Sequence, residues 1–552
     1  MRAGGWTRRD LLATFLGAPL AAAACGRPPS RSLPPGELVE PSAAIGHRLR
    51  DGWRLEPAAD AWRDVGAVVV GGGASGLSAA WRFETAGFSD YVMLEMEPEA
   101  GGTSRSGTSP TAAYPWGAHY VPAPFKEHRA LVTLFDEMGV FEGRDAEGEP
   151  VVREEHICRD PRERIFYRGR WYEGLYLEIA ASREDLRQLE AFKAEMERWH
   201  AWRDARGRHA FMIPVAHGSD DPEVTALDRL SMAEWMDERG FTSPRLRWYV
   251  EYACRDDYGA TLERTSAWAG LFYFTSRVGE ETGEAQPLVT WPEGNGRIVS
   301  HMLARAGNRA RLGVAVCDVR PVGEGADARV EVVGFDVAAN RPVGYRARRV
   351  VFAAPRFLVS RLVAPFRDDP PGYLAEFEYG SWTVANLWLR DRPAVPPLSF
   401  PPCWDNVLYE SPSLGYISAT HQALVDYGPT VLTWYYPIVE EDARAARTKL
   451  LSADRDHWAE VALSDLGLAH REIRDLCERV DVCRWGHAMI TPRPGFVWSG
   501  ARARAATPYR GIHFAHTDLS GVALFEEALH HGVRAAEEIL TAEGRAVPSL
   551  LV

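Results

Sequence analysis

The sequence predicts an α/β fold of two domains, one of them assembled from discontinuous stretches of chain. Two stretches carry this prediction: a strand–glycine turn–helix–strand–acid order between residues 67 and 102, and a strand–turn–helix unit over 511–540. The first opens with the apolar run Ala67-Val68-Val69-Val70 and passes at once into Gly71-Gly72-Gly73-Ala74-Ser75-Gly76. An amphipathic segment follows, then the strand-like Tyr91-Val92-Met93-Leu94, which ends on Glu95. This is the order of a Rossmann-type dinucleotide-binding βαβ unit. Gly71 allows the tight turn, Gly73 removes the Cβ that would hold a pyrophosphate off the backbone, and Gly76 lets the helix close on the sheet. The phosphates would sit at the helix N-terminus, beside Ala74 and Ser75, where unpaired N–H groups and the dipole favour an anion. Glu95, nineteen residues after Gly76, is placed to accept hydrogen bonds from a ribose diol.

The second stretch reads as a strand at Gly511–Ala515, a turn at His516-Thr517-Asp518 and a helix from Phe525 to Leu540. Apolar residues at Phe525, Ala528, Leu529, Ala535, Ala536 and Ile539 carry the helix, mostly at three- or four-residue spacing. Between the two units lie Gly101-Gly102-Thr103-Ser104-Arg105, Trp116-Gly117-Ala118-His119-Tyr120, Trp291-Pro292-Glu293-Gly294-Asn295-Gly296 and Val350-Val351-Phe352-Ala353-Ala354-Pro355. Together with residues 67–102 these segments resemble the FAD-dependent amine-oxidase-like superfamily of monoamine and polyamine oxidases, protoporphyrinogen oxidases and carotenoid desaturases. The resemblance spans about residues 65–545, with only its flavin-binding segments specific. It implies non-covalent FAD, with Gly71, Gly73, Ala74, Ser75, Gly76, Glu95, Gly101, Gly102, Arg105, Val316 and Asp518 on the cofactor side. Asp518 takes the place of an acid that in the family follows a glycine, which is absent here. The family pattern places His119 near the flavin ring, as a catalytic polar group or as a histidine satisfied by backbone. Trp116, Tyr120 and Trp498 are candidates for the substrate cavity or for core, and His487 is a weaker candidate of the same kind.

The implied organisation is a FAD-binding domain from 63–145, 288–368 and 489–545, an α+β substrate domain from 146–287 and 369–488, and a linker over 26–62. Two departures from the family matter. Lysine occurs only at 126, 193 and 449, so the strand around Val384 lacks the lysine that amine oxidases hold near the flavin. The cysteine of covalent flavoproteins is replaced in Pro492-Arg493-Pro494-Gly495-Phe496-Val497-Trp498. Three readings follow: an oxidase or dehydrogenase of an amine or amino acid, a desaturase or isomerase of a polyene or terpenoid, or a flavin-fold binding protein without catalysis. The first two transfer a hydride from a C–N or C–C bond of a small-molecule substrate to flavin, with oxygen or another molecule as final acceptor.

The 552 residues are 46% apolar and carry a net charge of −13, enough to bury large cores and without the basic stripe that nucleic acid requires. Thr7-Arg8-Arg9 precedes an apolar stretch from Leu11 to Ala24, too short to span a membrane, and reads as a twin-arginine signal for the Tat machinery over residues 1–25. Ala22-Ala23-Ala24-Cys25 fits a loose lipobox that would anchor the protein through lipidated Cys25, and equally an Ala-x-Ala cleavage site. Either way the expected location is periplasmic or otherwise extracytoplasmic, with residues 26–44 a flexible spacer. Cys158, Cys254, Cys317, Cys403, Cys477 and Cys483 show no spacing that fixes a disulfide, and no cluster suggests a metal. Ser182 is expected to cap a helix whose stripe Leu186, Leu189, Phe192, Met196 and Trp199 packs on the substrate domain or forms a lipid-facing lid. Arg255-Asp256-Asp257-Tyr258-Gly259 reads as a loop, and of His530 and His531 at least one is expected on a solvated face.

Overall fold

The computed structural model describes residues 32–39, 41–278, 286–423, 425, 427–439 and 442–551; the twin-arginine stretch and Cys25 lie outside the described residues. Val68 and Val69 are fully buried on both faces of their strand, the burial that a continuous apolar run requires of a central parallel strand. That strand, Trp62–Val70, pairs in parallel with Tyr91–Leu94 on one side and Arg341–Phe352 on the other. The sheet continues outward through Ala310–Arg311 beyond Tyr91–Leu94. The Arg341–Phe352 strand is long enough to serve two further partners on its other edge. Its first half holds the antiparallel Arg329–Asp336, next to Val314–Val322, and its last residues hold the C-terminal Ile512–Phe514. The sheet is thus gathered from three separate stretches of sequence.

The Ala74–Thr85 helix packs against the terminal Phe525–Ala542 helix. Their approach is fixed at Gly532, where a Cβ would lie 2.3 Å from the Ser75 carbonyl oxygen. The terminal helix is buried well beyond its apolar stripe. His530 and His531 are only 8% and 7% exposed, so neither is the solvated histidine expected from sequence; the helix is sandwiched between the first βαβ unit and the 211–217 segment. Glu527 is fully buried and accepts hydrogen bonds from the Val215 N–H (2.7 Å) and the Ser520 hydroxyl (2.5 Å). Glu527→Ala strands the Val215 N–H, whereas the Ser520 hydroxyl keeps His531 Nε2 at 2.8 Å; the substitution is expected to destabilise the fold by about 1–3 kcal/mol, read as a lower urea midpoint.

The second seven-stranded sheet runs in the order Cys477–Ile490, Tyr379–Leu389, Thr430–Pro437, Tyr416–Ser418, Asp405–Leu408, Glu163–Tyr167, Arg170–Glu173. Alternation along its strands decides what faces where. Ala385, Leu387, Leu432, Trp434 and Tyr436 enter a core beneath the Ala443–Ser452 and Arg455–Leu466 helices. Trp382, Val384, Val431 and Tyr435 point to the opposite face, where Tyr114, Trp116 and Tyr252 meet them. The Pro244–Tyr258 helix lies on that face.

Three expectations are corrected. Residues 32–39 are not a free spacer: the Val480 and Val482 N–H groups donate to Pro35 and Glu37 carbonyls, covering the edge of the Cys477–Ile490 strand, and Ala43–Arg50 is a helix. Arg255 to Tyr258 are the last turn of the Pro244–Tyr258 helix, capped by Gly259 at φ +58°, rather than a loop. The Arg183–Ala201 helix has its Ser182–Asp185 capping box, and Leu189, Phe192, Met196 and Trp199 are core, but Leu186 is exposed. Among the described residues the six cysteines from Cys158 to Cys483 are buried and form no disulfide.

Candidate active site

The turn after Val70 is built by three glycines with different tasks. Gly71 sits at φ +100°, which an L side chain rarely adopts. A Cβ on Gly76 would stand 1.9 Å from the Gly71 carbonyl oxygen, so the first helical turn closes directly on the strand. At Gly73 a Cβ would meet nothing within 4 Å. The space above Gly73 is therefore open, and it lies at the N-terminus of the Ala74–Thr85 helix, which has no side-chain cap. The second glycine pair closes the cradle: the Gly101 N–H donates to the Gly72 carbonyl (2.8 Å), and Gly101 and Gly102 hold φ +117° and +57°.

Glu95 stands at the end of the second strand, where the N–H groups of Gly72 and Glu97 donate to its two carboxyl oxygens. Burial pushes its pKa up against those bonds. The strand carrying Val316 starts alongside, since the Val314 N–H donates to the Glu95 carbonyl (2.8 Å), and Val316 itself is buried. Further along, the 101–107 turn packs against the residues around Gly296, whose Cβ position is 2.4 Å from the Ser106 hydroxyl. Four buried polar atoms around these segments lack a hydrogen-bond partner among the described residues: Ser75 Oγ, the Nε and Nη2 of Arg105, and Asn295 Oδ1. Asp518 lies at the other side of the sheet's C-terminal edge. It accepts from the Arg356 N–H (2.8 Å) and the Tyr379 hydroxyl (2.6 Å). Burial works to raise its pKa, but His516 at 2.9 Å and these donors hold it below the ordinary carboxyl value. An open, positively polarised helix end with unpaired donors beside it fits a dinucleotide cofactor.

Beyond this cradle lies a cavity of about 40 Å³. Its walls are aromatic, with Tyr120, Tyr252, Tyr273, Trp404 and Tyr435 among the lining residues, and three carboxyls, Glu163, Asp256 and Asp405, open onto it. Tyr252 donates to Asp405 at 3.2 Å. Burial raises all three carboxyl pKa values; that of Asp256 reaches about 7, with neighbouring Asp257 adding to the effect. The cation beside them is already committed, because Arg277 pairs with Asp257 at 2.5 Å. His119 is boxed in by Tyr120, Trp404 and Tyr435, with ring centroids 5.1–5.2 Å away. Burial lowers its pKa to about 4, and its Nδ1 lies 3.2 Å from the Gly117 carbonyl, so the neutral ring donates there and leaves Nε2 as an acceptor.

A family model described as flavin containing amine oxidoreductase matches residues 74–540 of the chain. The chain belongs to that family. It is an FAD-dependent oxidoreductase. The same fold is found in solved structures at low identity. Putrescine oxidase bound to putrescine is 16% identical over 87% of this chain and 100% of its own, with a TM-score of 0.61. Cyclohexylamine oxidase from Brevibacterium oxydans is 15% identical over 88% and 100%, with a TM-score of 0.60. A fatty acid isomerase from P. acnes that produces CLA is 14% identical over 87% and 98%, with a TM-score of 0.59. No curated protein sequence matches the chain.

Within this FAD-dependent oxidoreductase, the structure brings His119 and Tyr120 together at the cavity. It places Trp116 behind the wall, where its carbonyl accepts from Trp485 Nε1. Trp498 is elsewhere, with its N–H donating to Asp228 and its ring against Trp268. His487 stacks on Phe357 and does not line the cavity. Val384 is buried between Tyr435 and Cys483 in the sheet register. Sequence reasoning missed Glu163, Asp405 and Arg277, and gave Asp256 and Asp257 no role. Only the acidic pair in Arg255–Gly259 left a local signal, and helical context was needed to aim it.

Proposed function

We propose that this oxidoreductase takes its electrons from the C–N bond of a cationic amine. The observation that carries the reading is the cavity's charge: three carboxyls, none of which forms an ion pair among the described residues, inside aromatic walls. Such walls favour an ammonium group through their π faces, and the carboxyls hold it by charge-assisted hydrogen bonds.

Gly73, Ala74, Ser75 and Gly76 would hold the FAD pyrophosphate, Gly101, Gly102 and Arg105 would close over it, and Glu95 would take the adenosine ribose beside Val316. Asp518 would face the ribityl chain. FAD supplies a two-electron, hydride-accepting centre. The chain's own residues would bind the ammonium, exclude water and accept its proton at Asp256, whose carboxylate pKa lies near neutrality. With the nitrogen lone pair free, the adjacent carbon would be ready to give up hydride to the bound cofactor, and hydrolysis of the resulting iminium would give a carbonyl compound and ammonium. His119 Nε2 would orient the substrate nitrogen.

The expected pH profile follows from Asp256. Its pKa rises from 3.8 in the unfolded chain to about 7 when folded. Across that window the folded state binds more protons than the unfolded one, so stability falls as pH rises. Amine turnover runs the other way: kcat/KM rises as pH passes through about 7 and the carboxylate becomes available. Parallel melting and kinetic profiles check both slopes.

One observation favours a second reading, a desaturase or isomerase: apolar Val384 stands where an amine oxidase would carry lysine. Product analysis over a panel of monoamines, diamines and amino acids separates the two. Ammonium released in step with a carbonyl product supports amine oxidation, whereas a new or shifted C=C bond without ammonium supports the second reading. The twin-arginine segment supports export of the folded, FAD-loaded protein.

A further inference from the structure

At the opposite end of the FAD-side sheet, where the parallel strands begin, a surface cavity of about 530 Å³ is lined by Arg329, Arg348, Arg349 and Arg510, with Gly511 at its base. We infer that this groove binds a small phosphate-bearing anion. Arg348 is engaged, donating to Glu543 (2.7 Å) and Asp90 (3.3 Å). The other three reach only backbone carbonyls: Arg329 to Ala326 and Ala328, Arg349 to Arg348, and Arg510 to Gly323. Among the described residues none of these three has an ion-pair partner. Each guanidinium carries five N–H donors, so most of their capacity is unused. Glu324 is the one carboxylate lining the groove, fewer than the three unpaired cations.

The concentration of charge runs against the chain's net charge of −13. It is also held by costly backbone. Arg510 sits at φ +46°, a conformation an arginine rarely takes, locked by reciprocal hydrogen bonds between Tyr509 and Ile512 (2.8 and 2.9 Å). Gly511 follows at φ +85°, and a Cβ there would lie 3.3 Å from Val330. The three guanidinium forks come from separate chain segments. They suit an anion with acceptor oxygens on several sides, a phosphate, better than a planar carboxylate. The volume is that of a small-molecule site. The groove shares no residue with the glycine cradle, so the inference is independent of the amine reading.

The test is calorimetric titration of the FAD-loaded full chain with inorganic pyrophosphate at low ionic strength, beside a flotation assay with phosphatidylglycerol and phosphatidylcholine vesicles. The expected result is saturable one-to-one binding, weakened at least about tenfold in the Arg349→Gln, Arg510→Gln double variant, with flavin content and melting temperature unchanged. Flotation only on phosphatidylglycerol, abolished by the same substitutions, supports the same phosphate chemistry with a lipid headgroup as its source. Absence of both, or binding that the double variant leaves intact, overturns the inference.

Discussion

Gly73→Val folds but does not hold FAD, whereas Gly76→Ala destabilises the fold and weakens FAD binding together. The two positions lie three residues apart in one turn, and their surroundings are opposite. At Gly76 the added methyl would stand 1.9 Å from the Gly71 carbonyl oxygen. Neither side can yield, because the Gly71 N–H is tied to the Leu94 carbonyl (2.9 Å) and the helix is pinned against the terminal helix at Gly532. Overpacking of this kind costs about 1–3 kcal/mol or more. At Gly73 a side chain meets no protein atom within 4 Å, and the backbone at φ −71° accepts any residue. A side chain there would instead enter the open space proposed to hold the cofactor's pyrophosphate. Gly73→Val is therefore expected to melt within about 1 kcal/mol of the parent in the apo state while losing on the order of a hundredfold or more in FAD affinity. Apo-protein melting and flavin titration check both halves.

Asp405→Asn and Asp256→Asn make the apo protein more stable and the enzyme far worse. The neutral amide removes a carboxyl whose pKa burial and its acidic neighbours have raised, and with it the cost of keeping like charges together. The same change removes a charge-assisted partner for the substrate ammonium, worth about 1.5–3 kcal/mol, so kcat/KM for amines falls by roughly ten- to a hundredfold per substitution. A higher melting temperature joined to a lower kcat/KM is the signature of a site held under strain for function. Unchanged amine kinetics would remove these carboxyls from the site.

The cradle was legible in the sequence because its parts are close in the chain. The run Ala67–Val70, the three glycines and Glu95 sit within thirty residues, and each has a local steric or hydrogen-bonding cause. The terminal helix was legible from its apolar spacing, but its histidines were misplaced. Periodicity reports the stripe that must be buried and is silent on what covers the other faces. The cavity was illegible for a different reason. Glu163, Asp256 and Asp405 come from two strands and a helix of separate segments, and Glu163 and Asp405 are adjacent only because their strands pair in parallel. Nothing within ten residues of any of them announces that register. The 32–39 segment shows the same limit: its Pro-rich composition reads as a spacer, yet its backbone carbonyls complete a distant strand edge.

The central claim is that the aromatic, acidic cavity delivers an amine to FAD, and the most direct test is anaerobic titration of the FAD-loaded protein with amines while following the visible flavin absorption. The expected result is bleaching by at least one cationic amine, with one equivalent of ammonium formed per flavin after hydrolysis, and much slower bleaching in Asp405→Asn. Flavin that stays oxidised with every amine, yet is reduced by an uncharged apolar substrate or supports its double-bond shift, would contradict it.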